Sequence, residues 1–404
     1  MVEISFIDAL LVATGALAVV VVASSRLIRS LPVSEPLVAL LVGVVLGPQL
    51  TGTFDLPPLT EEWKRLHEAS RLLLALSVMA VALRYPSEAV RRQWRPVALL
   101  LLVVMPLMAV TTSVLSATVL GVGLGTAALL GAALAPTDPV LAASVVTGRP
   151  AEQTLPDRDR EVLSLESGAN DGLAFPLVLA ALAAAAALTA GAATVETVYA
   201  VAGAIVLGGA SGWLAARALA YAEKHREAER TPTLLFTAFL ALGVLGASGL
   251  LGLDGVLAAF TAGIVYNLTG EGDERARDAG LNESVNRVAA LPFFVYLGAL
   301  LPWDEWAALG WRGVALAVAV LLLRRLPWVL LLARPLRLAP ADAGYLGWFG
   351  PIGVSAVFYL TLVAERGAAT PELLAAGSLI VTASLVAHGT TSSPGVALYR
   401  RSAG

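Results

Sequence analysis

Cysteine is absent from all 404 residues, and histidine occurs only at His67, His225 and His388. Without thiols there is no disulfide, no thiolate metal site and no cysteine nucleophile. Three scattered imidazoles make no His-rich metal cluster. Charge is also scarce: Asp, Glu, Lys and Arg form 14% of the chain, where soluble domains carry about 25%, and 57% of the residues are hydrophobic. That balance excludes a globular enzyme and implies a polytopic membrane protein. A net charge of −3 gives no ground for a nucleic-acid partner, and no cofactor motif is present. The opening stretch, MVEISFIDALLVATGALAVVVVASS, has Glu3 and Asp8 and no basic n-region, so it reads as a first membrane span and not as a cleaved signal.

Apolar stretches able to cross a bilayer, each needing about 20 residues or somewhat fewer, recur along the whole chain. They fall near 6–24, 34–50, 70–85, 97–118, 123–147, 160–190, 194–218, 231–251, 254–269, 287–303, 311–334, 342–366 and 371–393, which makes about thirteen. The segments 34–50 and 254–269 are short or rich in Gly and Pro, as tilted or partly interfacial helices would be. Basic residues give the orientation. Connections after odd-numbered spans, with the C-terminal tail, hold twenty Lys and Arg, and connections after even-numbered spans hold five. Positive residues favour the cytoplasm, so the N-terminus is expected outside and the C-terminus inside. The two remaining basic residues, Arg324 and Arg325, fall within span eleven, about ten residues from either end. That depth, some 15 Å by helical rise, exceeds comfortable snorkelling, so both require acidic partners inside the protein.

Acidic residues occur at the same depth. Span five contains ALAPTDPVLAA, with Asp138 between Pro136 and Pro139. Each proline lacks an amide hydrogen, so the helix is expected to break there and free carbonyls at membrane depth. Span twelve, GYLGWFGPIGVSAVFY, is interrupted by Gly347, Gly350, Pro351 and Gly353. Spans five and twelve are an odd number apart and run in opposite directions, which is the pattern of inverted repeats meeting at a binding site. In span six Glu166 and Asn170 are four residues apart, as are Ser167 and Asp171, so their oxygens share one helix surface. Carboxylate, hydroxyl, amide and backbone oxygens suit a hard monovalent cation. Desolvation of a carboxylate favours its protonated form, so one carboxylate can hold a proton or a cation in turn. Asp138, Glu166 and Asp171 against Arg324 and Arg325 leave one negative charge without a fixed counter-ion, the requirement of one-for-one exchange. Asp8 and Glu365 read as interfacial, Asp254 as the cap of span nine, and KHREAER (224–230) as a solvated loop.

PTDPVLAASVV followed by ESGANDG in the next span resembles the sodium/proton antiporters of the NhaP and NHE type. The resemblance runs over nearly the whole chain. It implies an all-α membrane fold of about thirteen helices with inverted repeats, in which two broken helices (123–147 and 342–366) cross near the ion site. It implies a core domain (about 70–190 and 287–393) moving against a dimerisation domain (about 1–50 and 194–269), and hence a homodimer. By motif, Asp171 is similar to the ion- and proton-binding aspartate, and Asn170 to the asparagine of the electroneutral branch. Asp138 and Thr137 match unwound-helix residues beside the ion, a Na+ held at Asp171 and Asp138. Ser167 matches a hydroxyl ligand. Glu166 matches a glutamate paired with a buried arginine, for which Arg325 and Arg324 both stand as candidates. Ile352 occupies a position where many relatives carry arginine, and GWFGPIGV is similar to the wording of fungal plasma-membrane antiporters. The expected function is electroneutral exchange of one Na+ (or Li+) for one proton across the plasma membrane, with potassium/proton exchange as the alternative. An intramembrane aspartyl protease would also need two aspartates, but its YD and GxGD motifs are missing. A cation channel would need no carboxylate poised for proton exchange.

Overall fold

The structure, a computed structural model, describes residues 10–16, 33–146, 149–224, 232–269 and 289–403, and every regular element among them is a helix. Residues 10–16 are helical. The elements that follow are α1 (Glu35–Leu46), α2 (Trp63–Arg84), α3 (Ser87–Val119), α4 (Leu124–Ala133), α5 (Pro139–Val146), α6 (Asp157–Ala184) and α7 (Ala190–Lys224). After them come α8 (Pro232–Leu251), α9 (Gly255–Thr269), α10 (Ala289–Ala299), α11 (Trp303–Leu323), α12 (Pro340–Trp348), α13 (Val354–Glu365) and α14 (Pro371–Ala403). Expected spans two to thirteen each coincide with helix. Most of the first, with Asp8, lies outside the described residues, as do His225 and most of the 224–230 loop.

Among the described residues, six helices are long and apolar enough to cross a membrane: α2, α3, α6, α7, α14, and α11 taken with its continuation to Leu331. Their outward faces carry exposed large apolar side chains such as Leu102, Val206, Leu214 and Val314. A lipid phase gives helices no hydrophobic reason to associate, so they are held by close packing of small residues. At the α1–α10 crossing, a Cβ on Gly43 would stand 2.0 Å from the Val295 carbonyl oxygen, and one on Gly298 would stand 2.2 Å from that of Leu40. The α7–α9 crossing is similar: a Cβ on Gly212 would meet the Ala262 carbonyl oxygen at 2.2 Å.

Both expected breaks are present, at 134–138 between α4 and α5 and at 349–353 between α12 and α13. Span eleven differs from expectation. The chain is helical from Trp303, turns at Gly310 (φ 57, ψ −147), and the helix ends at Leu323. Arg324 and Arg325 are therefore at an interruption and not in mid-helix, and a short helix, Leu326–Leu331, restarts with proline in its first turn. Pro327 lacks an amide hydrogen, which ends the ladder there and turns the two guanidiniums inward. The last helix continues to Ala403, ten residues beyond the expected span.

The helix crossings generate a paired test. Gly209, next to the same crossing, has nothing within 4 Å of an added Cβ. Gly212→Ala should lower the melting temperature of the detergent-solubilised protein, since overpacking typically costs about 1–3 kcal/mol. Gly209→Ala should leave it unchanged or higher. Equal melting temperatures for the two variants would refute the close-packing argument.

Candidate ion-binding site

An interrupted helix leaves amides at the start of one half and carbonyls at the end of the other, and membrane depth offers no water to satisfy them. Asp138 serves the amide ends. Its Oδ1 accepts from the N–H groups of Val140 (2.7 Å) and Leu141 (3.2 Å), capping α5, and its Oδ2 accepts from Val354 N–H, capping α13. Its own N–H donates to the Pro351 carbonyl at 2.9 Å. One carboxylate thus faces the positive ends of two helices from opposite repeats.

Arg324 serves the carbonyl ends. Its Nη1 donates to the carbonyls of Leu134 (2.5 Å), Ala135 (3.1 Å) and Pro136 (3.2 Å), and its Nη2 to that of Gly350 (2.5 Å). Arg325 instead forms a two-pronged ion pair with Glu166, at 2.9 and 3.0 Å, while its Nε donates to the Leu346 carbonyl at 3.0 Å. The residue paired with Glu166 is therefore Arg325, and Arg324 holds backbone. All four charged groups are buried. The glycines of the second break are a spatial requirement. A Cβ on Gly350 would lie 2.2 Å from Cδ of Arg325, and one on Gly353 would lie 2.2 Å from Oδ2 of Asp138.

Span six is tied to the first break through Thr137. Its N–H donates to Asn170 Oδ1 (3.1 Å), its carbonyl accepts from Ser167 Oγ (2.7 Å), and its hydroxyl oxygen accepts from Asn170 Nδ2 (2.7 Å). The same Nδ2 donates to Glu166 Oε1 at 2.9 Å. A backbone donor on one side and a carboxylate acceptor on the other fix the orientation of the amide. An aspartate at 170 would bring a second carboxylate against Glu166.

Asp171 is the exception. It is fully buried, yet neither carboxylate oxygen accepts a hydrogen bond. Ser355, in the first turn of α13, offers its hydroxyl to this carboxylate as a weak donor, short of a well-formed hydrogen bond, and has no other partner. The Asp171 backbone carbonyl accepts from the hydroxyl of Tyr359. Asp171 interacts electrostatically with Asp138 and Ser355, and carboxylate and hydroxyl oxygens are the kind of ligand a hard monovalent cation takes.

Among the expected site residues, Glu166, Arg325, Asn170, Thr137 and Ser167 form one hydrogen-bonded network, Asp138 and Arg324 are bonded to the backbone of the two breaks, and the Asp171 carboxylate joins neither set. Pro136, Pro139, Gly350, Pro351 and Gly353 lie at the two breaks. Asp254 caps α9 through Val256 and Leu257 N–H at 3.1 and 3.0 Å, as expected. Glu365 is exposed and 3.4 Å from His67. Ser355 and Tyr359 were not foreseen. Their only sequence signal is two hydroxyls, four residues apart, just after the Gly–Pro break.

The fold and site define a class: a polytopic helical membrane protein in which two interrupted helices cross beside a buried, unpartnered carboxylate. The chain belongs to the sodium/hydrogen exchanger family, whose model (Sodium/hydrogen exchanger, transmembrane) matches residues 15–397. It is 34% identical over 355 residues to Na(+)/H(+) antiporter 2 of Zygosaccharomyces rouxii, covering 82% of this chain and 42% of that protein. It is 30% identical over 354 residues to the Na(+)/H(+) antiporter of Saccharomyces cerevisiae, covering 82% of this chain and 35% of that one. The chain thus spans less than half the length of these two relatives. In fold it matches the sodium proton antiporter MjNhaP1 from Methanocaldococcus jannaschii, with a TM-score of 0.73, 20% sequence identity and 97% of each chain covered.

The contrast between Glu166 and Asp171 gives a stability prediction. Glu166→Gln strands the buried Arg325, and breaking such a pair typically costs about 3–5 kcal/mol, so its melting temperature should fall clearly. Asp171→Asn removes no hydrogen bond of the carboxylate and should cost much less. Thermal unfolding of both variants in one detergent checks the order, and a reversed order would mean that Asp171 carries the structural load.

Proposed function

We propose that this chain is a secondary antiporter exchanging one Na+ for one proton across the plasma membrane, with the N-terminus outside and the C-terminus in the cytoplasm. The observation that carries this reading is the unpartnered Asp171 carboxylate next to charges that are otherwise compensated. Asp138 is offset by two helix N-termini, Arg324 by backbone carbonyls, and Glu166 by Arg325. Asp171 must then be neutralised by what arrives from outside, either a proton or a monovalent cation. The two cannot share the site, and that competition couples their fluxes. Li+ and K+ have the same charge and the same preference for oxygen, so they enter the test as competing cations. A protease reading needs two carboxylates free to activate water, and Asp138 already accepts three backbone hydrogen bonds.

Alternating access would move a core containing α3–α6 and α11–α14 against a scaffold containing α7–α9 that also forms a homodimer. Two small residues of α6 line this seam. A Cβ on Gly168 would meet Phe260 at 2.9 Å, and one on Gly172 would meet the Leu257 backbone at 2.7 Å. α1 and α10, locked by Gly43 and Gly298, would travel together.

Two outcomes test this reading. Asp171→Asn in proteoliposomes should abolish sodium-driven proton flux, seen as lost dequenching of a pH dye, while the protein stays folded. Wild-type-like exchange by that variant would sink the mechanism. Second, one-for-one exchange moves no net charge. With the potential clamped by potassium and valinomycin, the sodium gradient that balances a fixed pH gradient should be the same at every potential. If K+ proves to be a substrate, another permeant ion should set the clamp. A balance point that shifts with potential would bring a further titrating group into the cycle, with Glu166 first.

A further inference from the structure

An unbroken helix through the second break would contain hydrogen bonds from Ile352 N–H to the Trp348 carbonyl and from Val354 N–H to the Gly350 carbonyl, each four residues apart. Both pairs are parted, and each of the four groups has found a side chain. Val354 N–H goes to Asp138 and the Gly350 carbonyl to Arg324, as described above. The other pair is taken up by α14. Ile352 N–H donates to Ser384 Oγ at 2.8 Å, Ser384 Oγ is 3.1 Å from His388 Nδ1, and His388 Nε2 is 3.0 Å from the Trp348 carbonyl. Ser384 and His388 are one helical turn apart on α14 and buried.

The chemistry of the ring orders this chain. The Trp348 carbonyl only accepts, so Nε2 bears a hydrogen and donates. With the ring neutral, Nδ1 accepts from the Ser384 hydroxyl, whose oxygen in turn accepts from Ile352 N–H. The path from Ile352 N–H to the Trp348 carbonyl is then continuous, with two side chains inserted into one helical hydrogen bond. A second proton, on Nδ1, would instead be donated to the Ser384 backbone carbonyl at 2.9 Å, and the Trp348 end would be unchanged. The Trp348 carbonyl also accepts from Gly350 N–H at 2.9 Å, which makes the turn that leads out of α12.

We infer that Ser384 and His388 are positioning residues: they bridge the missing helical hydrogen bond and hold the second break open at the spacing that cation binding needs. The bridge is two residues from Val354 and Gly350, the groups that meet Asp138 and Arg324. Without it, Ile352 N–H either stays unpaired at membrane depth, while the Trp348 carbonyl keeps only Gly350 N–H, or rejoins that carbonyl, and rejoining draws Val354 N–H away from Asp138. The relation to α14 is specific, because only a donor and an acceptor one turn apart can span both groups. The inference rests on the antiport reading and adds to it the element that sets the shape of the site.

The test measures sodium-dependent proton flux by the full chain in proteoliposomes, giving KM and the maximal rate for wild type, Ser384→Ala, His388→Ala, the double variant and His388→Gln. The bridge predicts that each alanine variant, which cuts two of its hydrogen bonds, raises the sodium KM about fivefold or more, with a smaller change in maximal rate. The double variant should be no worse than the worse single one, since either cut opens the same chain. His388→Gln keeps a donor for the Trp348 carbonyl and should recover part of the affinity. The rise in melting temperature on adding sodium gives a readout independent of transport and should shrink in the alanine variants. Unchanged KM in both single variants, a loss of maximal rate alone, or effects that multiply in the double variant would overturn the bridge. If His388→Ala does not fold, Ser384→Ala, which leaves the His388 Nε2 contact to the Trp348 carbonyl in place, and His388→Gln, which keeps a donor there, decide the matter. Absence of sodium-driven proton flux in the wild type would instead overturn the antiport reading.

Discussion

Two helices stop in the middle of a membrane, and every peptide group released there must be satisfied by the protein itself. That constraint organises the rest of the molecule. Asp138 takes amides from the starts of both α5 and α13, and Arg324 takes carbonyls from the ends of both α4 and α12. Each side chain therefore spans the two repeats at once. The acid faces positive helix ends and the base faces negative ones, which is the favourable arrangement for both dipoles. Neither break could be built alone, because half of its compensation comes through a residue that also serves the other.

This compensation isolates one charge. Arg325 and Glu166 neutralise each other through paired hydrogen bonds, and the Asn170 amide finishes the glutamate and fastens α6 to Thr137. Desolvated charges are costly wherever they lack a partner, so the structure confines that cost to Asp171. Glu166, Arg325, Asn170, Thr137 and Ser167 are bonded to one another, and such a network holds its members in place. Ser355 offers its hydroxyl to Asp171 from α13, one of the two half-helices that Asp138 caps, so the geometry of the second break reaches Asp171.

Much of this was legible in the sequence, for identifiable reasons. Proline has no amide hydrogen wherever it occurs, so Pro136, Pro139 and Pro351 announce interruptions without any tertiary information. Helical spacing places Glu166 with Asn170 and Ser167 with Asp171 before any partner is known. The division of work between Arg324 and Arg325 was not legible. Adjacent residues in a continuous helix would point about 100° apart, and the choice of partner depended on an interruption at Pro327 that the apolar run conceals. Nor could spacing show that Ser384 and His388 meet Ile352 and Trp348, which are 32 and 40 residues away in sequence. The short α1 and α9 looked like weak spans. Each buries one face against other helices, with Leu37, Ala39 and Leu40 of α1 and Val256, Ala258 and Ala259 of α9 buried.

The position of Asp171 around α6 carries the argument one step further. Successive residues of a helix step by about 100°, so the strips Glu166–Asn170, Ser167–Asp171 and Gly168–Gly172 follow one another around its surface. The first strip is bonded to Arg325 and the first break, and the last is pressed against α2 and α9. Asp171 lies on the strip between them, at the edge where the bonded network ends and the smooth glycine seam begins. A carboxylate on the bonded strip would be held too firmly to exchange its partner, and one on the seam would be sealed by the backbone of α9. On the middle strip it borders the hydrogen-bonded strip on one side and, on the other, the strip where α6 packs most closely on α9, and neither set of contacts engages its carboxylate.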